Sequence, residues 1–202
     1  MTDFSIENQY SGIVCGLDEV GRGPLAGPVV AACVVIPPAK RMLDFVAAIQ
    51  DSKKLSVKKR DELYDKIIEN FPHAITEITP EEIDEINILQ ASLKAMKTAH
   101  DAIGNIEYAL VDGNKAPELN SKAITVIKGD SKSKSIAAAS IIAKVHRDRI
   151  MQELSKQYPH YGWSKNAGYP TKQHREAILQ FGITQHHRKS FAPVRNFIES
   201  QQ

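Results

Sequence analysis

Four carboxylates stand where predicted strands end, and their chemistry points to a metal site. Asp18 and Glu19 close a first apolar segment, Asp112 closes a later one, and Asp130 follows a third. In open α/β sheets, ligands bind beyond the carboxyl ends of the strands. Clustered carboxylates repel one another, and a divalent cation removes that penalty. Carboxylate oxygens select hard ions such as Mg²⁺ or Mn²⁺, and a pair of such ions can promote hydrolysis of a phosphodiester.

Each of these acids also has an ordinary structural explanation. Asp112 with Gly113 fits a plain turn, Asp130 fits a helix N-cap, and Glu19 fits a strand position that faces solvent. Spacing along the chain does not show that the side chains meet. The residues by themselves therefore indicate a metal-dependent phosphotransfer site and leave the structural alternatives open.

A glycine-rich loop directly follows the first acid pair and runs from Gly21 to Pro28. Glycines in a loop let the backbone approach a ligand and direct N–H groups at it, but a Gly-Pro hairpin turn explains the same residues. The loop lacks the GK[ST] of a P-loop, and its glycine spacing is not GxGxxG followed by a helix. A second candidate anion site is the helix start at 128–135, where the serines could equally serve as caps.

Basic residues come in groups, although the net charge of the chain is only +2. The groups lie at 53–60, 128–149, 165–175 and 188–189. A solvated surface is their default interpretation, and phosphate contact is the alternative for those beside the acids. Tyr161, Trp163 and Tyr169 share one loop, where rings either stack on nucleic acid or pack beneath the loop. His186 and His187 lack any supporting zinc motif, so we expect no zinc there.

The elements that position these residues form one continuous α/β pattern. Strands are predicted at 12–19, 28–36, 73–79, 106–112 and 123–129, and helices at 56–71, 79–103, 131–158, 171–181 and 191–199. Thr79, Pro80 and Glu82 predict a capping box. The first two strands must be antiparallel, because their connection is too short for a parallel crossover. The pattern predicts a mixed five-stranded sheet with helices packed on it.

Length and composition limit the class of protein. A chain of 202 residues with 42% hydrophobic residues fits one domain, whose C-terminal helical part we place from about 159 to 202. No apolar run approaches the roughly 18 residues that cross a bilayer, and the N-terminal residues do not resemble a signal peptide. We therefore expect a cytoplasmic protein without membrane contact. Cys15 and Cys33 lie in apolar runs and are expected to be buried free thiols.

Taken together, the motifs resemble bacterial ribonuclease HII. From about Ile13 to Val194 they are GLDEVGRGPLAGPVVAACVV, DSKKLS, LVDGN, KGDSKSKSIAAASIIAKVHRD, GYPTKQH and HHRKSFAPV. The resemblance implies a ribonuclease H-like α/β fold with a C-terminal helical extension. It also implies endonucleolytic cleavage of RNA in RNA–DNA hybrids and on the 5′ side of single ribonucleotides embedded in duplex DNA. Two Mn²⁺ or Mg²⁺ ions are the expected cofactors, with 3′-hydroxyl and 5′-phosphate products.

The resemblance also assigns expected roles to individual residues. The expected catalytic and metal-binding carboxylates are Asp18, Glu19, Asp112 and Asp130. Gly21, Arg22 and Gly23 match the loop whose backbone reads the ribose 2′-hydroxyl. Tyr169 matches the tyrosine that stacks on the sugar at the RNA-to-DNA junction, and Lys53 is a candidate phosphate contact.

Two other function classes stay open at this point. A non-catalytic nucleic-acid-binding domain would keep the basic groups, need no acids, and bind equally well without metal. A nucleotide phosphotransferase would need a Walker-type lysine loop, which the sequence lacks. The expected partners are RNA–DNA hybrid and ribonucleotide-containing duplex DNA, bound by a monomer. The C-terminal IESQQ shows no clear motif for docking to a sliding clamp.

Overall fold

In a computed structural model, which describes residues 2–202, five strands form one mixed sheet. The strands are β1 (Val14–Val20), β2 (Val29–Val35), β3 (His73–Ile78), β4 (Tyr108–Asp112) and β5 (Lys122–Val126). Their order is β3-β2-β1-β4-β5, with β1 antiparallel to β2 and parallel to β4. The predicted sheet is confirmed. Because β1 and β4 run side by side in the same direction, Asp18 and Asp112 come to the same edge of the sheet.

Within residues 2–202, six α-helices surround the sheet or extend it. They are α1 (Val57–Asn70), α2 (Pro80–Ile103), α3 (Lys134–Gln157), α4 (Trp163–Asn166), α5 (Lys172–Phe181) and α6 (Ala192–Glu199). Ser56, Thr79 and Thr171 cap their helices through side-chain oxygens, and for Ser56 and Thr79 the sequence predicted this. The short helix α4 lies inside a segment predicted to be a loop. Its four residues are too few for a periodic signal.

One predicted helix start and one predicted capping box need correction. Helix α3 begins three residues after the predicted start, with Ser133 as its N-cap, so Asp130 is not the cap and lies in a preceding 3-10 turn. At Thr79 only half of the capping box forms. The N–H of Glu82 donates to Thr79 Oγ1 over 3.3 Å, while the Glu82 carboxylate pairs with Lys94 over 2.6 Å. The ion pair competes for the carboxylate that would have closed the box.

The two faces of the sheet are buried against different helices. Val30 and Val34 of β2 belong to the core cluster that contains residues of α1 and α3. Val29 and Cys33 point to the opposite face and belong to the cluster with α2. This alternation follows from the two-residue period of a strand. Cys15 and Cys33 are both buried and free, as predicted.

A third cluster joins the C-terminal helices to the loop that follows β1. Leu25 packs there with Trp163, Ile178 and Val194. The glycine-rich loop is therefore enclosed between the acid end of the sheet and the C-terminal helices. No helix within residues 2–202 is both long and apolar enough to span a membrane.

Helix α2 is interrupted at Asn87, which the sequence pattern did not predict. Asn87 has φ 66° and ψ 161°, and its Oδ1 accepts hydrogen bonds from the N–H groups of Leu89 and Gln90. Asn87 thus acts as a new N-cap within the helix. Just before it, the Asp84 carboxylate accepts the N–H groups of Lys189 and Ser190, which ties α2 to the C-terminal segment.

Candidate active site

Asp18 lies at the centre of the carboxylate group. It is 7% exposed, and its Oδ1 accepts the N–H of Glu19 over 2.7 Å. Burial raises the pKa of Asp18 well above its usual value, and the negative charges of Glu19 and Asp112 raise that pKa further. The structure therefore brings three of the expected acids close enough to affect one another.

Glu19 and Asp112 sit in related environments on either side of Asp18. Burial raises the pKa of Glu19, while Arg22 opposes the rise through an ion pair of 3.2 Å between Nη1 and Oε1. Burial also raises the pKa of Asp112. The Gly129 N–H donates to Asp112 Oδ1 over 2.6 Å, and this hydrogen bond opposes the rise. The negative charge of Asp130 raises the pKa of Asp112 further. Asp130 therefore belongs to the same acid group.

Lys53 comes to this group from a distant part of the chain. Its Nζ lies 3.6 Å from Oδ2 of Asp130, although its side chain remains 81% exposed. Asp51 caps the 3-10 turn that carries Lys53 by accepting its N–H over 3.0 Å. Burial alone would lower the pKa of Lys53, but the charges of Asp130 and Asp18 raise it. The side chain is thus a cation at the edge of the acid group, with its amine open to solvent.

The donor chemistry of these acids fits a hard divalent cation. Within residues 2–202, no group of three or more His, Cys, Asp or Glu side chains is arranged so that it could hold a metal ion as it stands. The acids nevertheless offer only oxygen donors, and three of them have pKa values raised by burial and by one another's charge. A bound cation would offset both costs. Glu19 and Asp112 also line a cleft that Met96 and Lys115 border, so the acids are open to a ligand.

Two of the three loop residues assigned to ribose recognition are exposed beside the acids. Arg22 and Gly23 face solvent, whereas Gly21 is buried. Gly21 has φ 92°, and a Cβ at this position would collide with the side chain of Arg147. Only glycine can adopt this positive φ and fit against the Arg147 side chain without strain. The Gly21 backbone therefore lies directly on a buried arginine.

Tyr169 lies across from this loop. A Cβ on Gly23 would be 3.4 Å from Cε1 of the Tyr169 ring, which is van der Waals distance. Tyr169 is 43% exposed, whereas Tyr161 and Trp163 are buried beneath the loop. Packing beneath the loop is therefore confirmed for Tyr161 and Trp163. Of the three aromatic residues, only Tyr169 presents an exposed ring beside the glycine-rich loop.

A hydrogen-bonded pair of buried histidines holds the Tyr169 backbone. Trp163 Nε1 can only donate, so His174 Nε2 accepts its hydrogen bond over 3.0 Å. The His174 proton therefore lies on Nδ1, which donates to the Tyr169 carbonyl over 3.0 Å. The Thr184 N–H likewise donates to His187 Nδ1, so His187 Nε2 donates to His174 Nε2 over 3.1 Å. These partners require both rings to be neutral. Together they assign His187 to this network.

Three basic residues expected at the surface are in fact buried: Lys134, Arg147 and Arg188. Lys134 Nζ donates to the carbonyls of Val46 and Ile49 over 3.0 and 2.7 Å, close to the turn that carries Lys53. A solvated face is therefore wrong for these three positions. Their sequence contexts resemble ordinary charge runs, so nothing in the pattern distinguishes them. The sequence does not single out His174 either, because it lies in the same kind of charged segment, between Lys172 and Arg175.

Comparison with known proteins gives a consistent family. The family model of ribonuclease HII matches residues 15–194. Ribonuclease HII of Paramagnetospirillum magneticum is 49% identical over 199 residues, which cover 98% of this chain and 99% of that protein.

Solved structures agree on the fold. Ribonuclease H2 from Pyrococcus horikoshii OT3 has a TM-score of 0.77 at 28% identity and covers 93% of this chain and 98% of its own. A ribonuclease HII from Archaeoglobus fulgidus, solved in complex with PCNA, has a TM-score of 0.70 at 28% identity, covering 87% of this chain and 93% of its own. The expected ribonuclease H-like fold is thereby confirmed.

Proposed function

Because this chain belongs to the ribonuclease HII family, we propose that it cuts at single ribonucleotides embedded in duplex DNA. Family membership makes it a metal-dependent endoribonuclease that acts on RNA–DNA hybrids. Our proposal adds the cleavage position, on the 5′ side of the ribonucleotide, and the products, a 3′-hydroxyl and a 5′-phosphate. The observation that carries it is the contact between Tyr169 and the exposed loop at Gly23, beside the acid group.

In this proposal the four acids share one task. Asp18, Glu19, Asp112 and Asp130 would hold two Mg²⁺ or Mn²⁺ ions. Asp18 and Asp130 are buried, and backbone N–H groups restrain the carboxylates of Asp18 and Asp112. When bound, the ions activate a water molecule and stabilise charge on the leaving oxygen. Arg22 pairs with Glu19 and so restrains this carboxylate from the side of the loop.

Ribose recognition is assigned to the loop and to Tyr169. The 2′-hydroxyl distinguishes RNA from DNA at a given nucleotide, and exposed backbone N–H groups at Arg22 and Gly23 are suitable donors to it. The Tyr169 ring stands where it can stack on the next sugar. A second 2′-hydroxyl would crowd the ring face, so deoxyribose is favoured at that position. The two features together select a ribonucleotide followed by DNA.

Lys53 is assigned to the phosphate. Its amine is exposed and pairs with Asp130 only at 3.6 Å, so it can reach an incoming phosphate oxygen without losing a buried contact. Phosphate contacts of this kind supply affinity and position the strand without reading its sequence.

The direct test uses a DNA duplex with one ribonucleotide, incubated with purified protein and Mn²⁺, Mg²⁺ or EDTA. We expect a single cut on the 5′ side of the ribonucleotide with either metal and none in EDTA. The product ends should be 3′-hydroxyl and 5′-phosphate, because water is the nucleophile. A 2′,3′-cyclic phosphate would mean that the 2′-hydroxyl attacks. Cleavage of an all-DNA duplex would remove the role of the loop in ribose recognition.

A further inference from the structure

Two arginines are buried beneath the glycine-rich loop without a carboxylate partner. Arg147 is 1% exposed and Arg188 is 0% exposed. Within residues 2–202, neither guanidinium forms an ion pair, and all of their hydrogen bonds go to backbone carbonyls. Burial lowers the pKa of Arg147 to about 10 and that of Arg188 to about 9, so both keep their charge at neutral pH. An unpaired buried charge is costly, and the backbone carbonyls compensate for it. For Arg188 the Phe191 ring adds to this, because its centroid lies 5.1 Å from the guanidinium carbon.

Arg188 binds the carbonyls at the start of the loop. Its Nη2 donates to Gly21 O over 2.6 Å, and its Nη1 donates to Arg22 O over 3.0 Å. Nε and Nη2 also donate to Gly27 O over 3.0 and 2.9 Å. One planar group therefore holds both ends of the loop. A lysine amine could not reproduce this fork.

This arrangement determines where the loop N–H groups point. In a trans peptide the C=O and the following N–H are antiparallel. Because Gly21 O and Arg22 O point inward at Arg188, the N–H groups of Arg22 and Gly23 point away from it. Neither N–H donates to any acceptor within residues 2–202, and both residues are exposed. The loop therefore presents two adjacent free donors beside the acid group.

Arg147 connects the same loop to the segment that carries Tyr169. It donates to Pro28 O over 2.8 Å and to Ala26 O over 3.0 Å, both at the end of the loop. Its Nη1 donates to Ala167 O over 2.9 Å, two residues before Tyr169. The guanidinium is thus a fixed spacer between the two recognition segments.

We propose that Arg188 is a positioning residue that holds the N–H groups of Arg22 and Gly23 ready to bind the ribose 2′-hydroxyl. Arg147 has the corresponding role for the distance between this loop and Tyr169. The inference rests on the proposed function, since it assigns the origin of the ribose selectivity of that site. Neither arginine touches the substrate, and both act through the backbone.

The test separates ribose recognition from general duplex affinity. The wild-type protein and the Arg188→Lys variant are compared in single-turnover cleavage of a duplex with one ribonucleotide, with the same-sequence all-DNA duplex as competitor. Arg188→Lys keeps the charge and loses the fork. For Arg188→Lys we expect the enzyme concentration that gives half-maximal cleavage of the ribonucleotide duplex to rise about tenfold. The inhibition constant of the all-DNA competitor should stay unchanged. Arg147→Lys should give the same pattern. Arg195→Lys, on the exposed face of α6, is the matched control and should behave as wild type.

The outcomes distinguish the inference from the proposed function. If the wild-type protein binds both duplexes equally, the proposed function fails. If the wild-type protein prefers the ribonucleotide and Arg188→Lys loses only cleavage amplitude, Arg188 has a purely structural role and the inference is wrong. Equal weakening toward both duplexes would also overturn it.

A measurement on the wild-type protein covers the case in which the variants do not fold. Nitrogen NMR of the arginine side chains should show slow rotation of the Arg147 and Arg188 guanidinium groups and slow exchange of their protons. Arg195, whose side chain is 55% exposed, supplies the reference for a guanidinium at the surface. Fast rotation of Arg188 would show that it does not hold the loop.

Discussion

The ring of Tyr169 lies against Gly23, so closely that a methyl group at Gly23 would touch Cε1 at 3.4 Å. Residues 146 positions apart in the chain (169 − 23) are thereby brought side by side. Tyr169 is 43% exposed, so its ring is not part of the core. The ring is free to contact a ligand, whereas the buried Trp163 close to it in sequence serves packing.

We expect Tyr169→Ala to impair cleavage at a single embedded ribonucleotide without lowering the melting temperature much. Stacking on nucleic acid contributes ~1–3 kcal/mol, which corresponds to about five- to 150-fold in rate if it is realised in the transition state. Tyr169→Phe keeps the ring and should retain more activity. The measurement is the cleavage rate on the junction substrate and on an all-RNA hybrid. Equal loss on both substrates would contradict a junction-sensing role.

Asp112→Asn should nearly abolish cleavage and leave hybrid binding intact. The amide oxygen can still accept the Gly129 N–H, so the local fold is kept while the charge that holds the cation is lost. Affinity depends mainly on phosphate contacts elsewhere. Rates and dissociation constants are measured at saturating Mg²⁺. Asp101→Asn, on the surface of α2, is the control and should cut normally. Near-normal turnover of Asp112→Asn would remove that residue from the site.

Asp18→Asn should stabilise the metal-free protein while it destroys activity. Burial and the charges of Glu19 and Asp112 disfavour the ionised form of Asp18, which shows as its raised pKa. A neutral amide removes this repulsion and can still accept the Glu19 N–H. We expect a gain of ~1 kcal/mol, or about 2–4 °C in melting temperature. Millimolar Mn²⁺ should raise the melting temperature of the wild type and have less effect on the variant. The opposite pattern would count against the acid group as a cation site.

Acid should destabilise the protein through the buried histidine pair. Burial and the neighbouring His174 lower the pKa of His187 to about 3, and burial lowers the pKa of His174. Below pH 6.5 the unfolded chain therefore binds protons that the folded chain does not, so stability falls as the pH drops from about 6.5 toward 3.

The size of this effect can be measured with one substitution. His187 contributes ~1.4 kcal/mol per pH unit within that window. His187→Gln keeps a donor to His174 and should reduce the slope of unfolding free energy between pH 6.5 and 4.5 by that amount. His160→Gln, at an exposed position, is the control and should keep the wild-type slope. An unchanged slope in His187→Gln would mean that the pair is not held neutral.

Local patterns were sufficient for most of the secondary structure. Ser56, Thr79 and Thr171 marked helix starts because an N-cap is a contact within four residues. The sequence placed Asp18 and Asp112 at strand ends, but their meeting depended on the parallel pairing of β1 with β4, which only the structure shows. The sequence pattern did not predict the break at Asn87, because one residue with positive φ does not change the spacing of the apolar residues along the helix.

The sequence by itself determined the strands, the helices and the four acids that the topology gathers at one edge of the sheet. Only the tertiary structure decided which charged residues are buried. Arg147 and Arg188 look like members of ordinary basic groups, but each is buried against carbonyls from other segments. Burial of a charge depends on acceptors that folding brings from far away in the chain, and no local pattern contains that information. The same holds for Lys53, which reaches Asp130 only when the sheet and its helices have assembled.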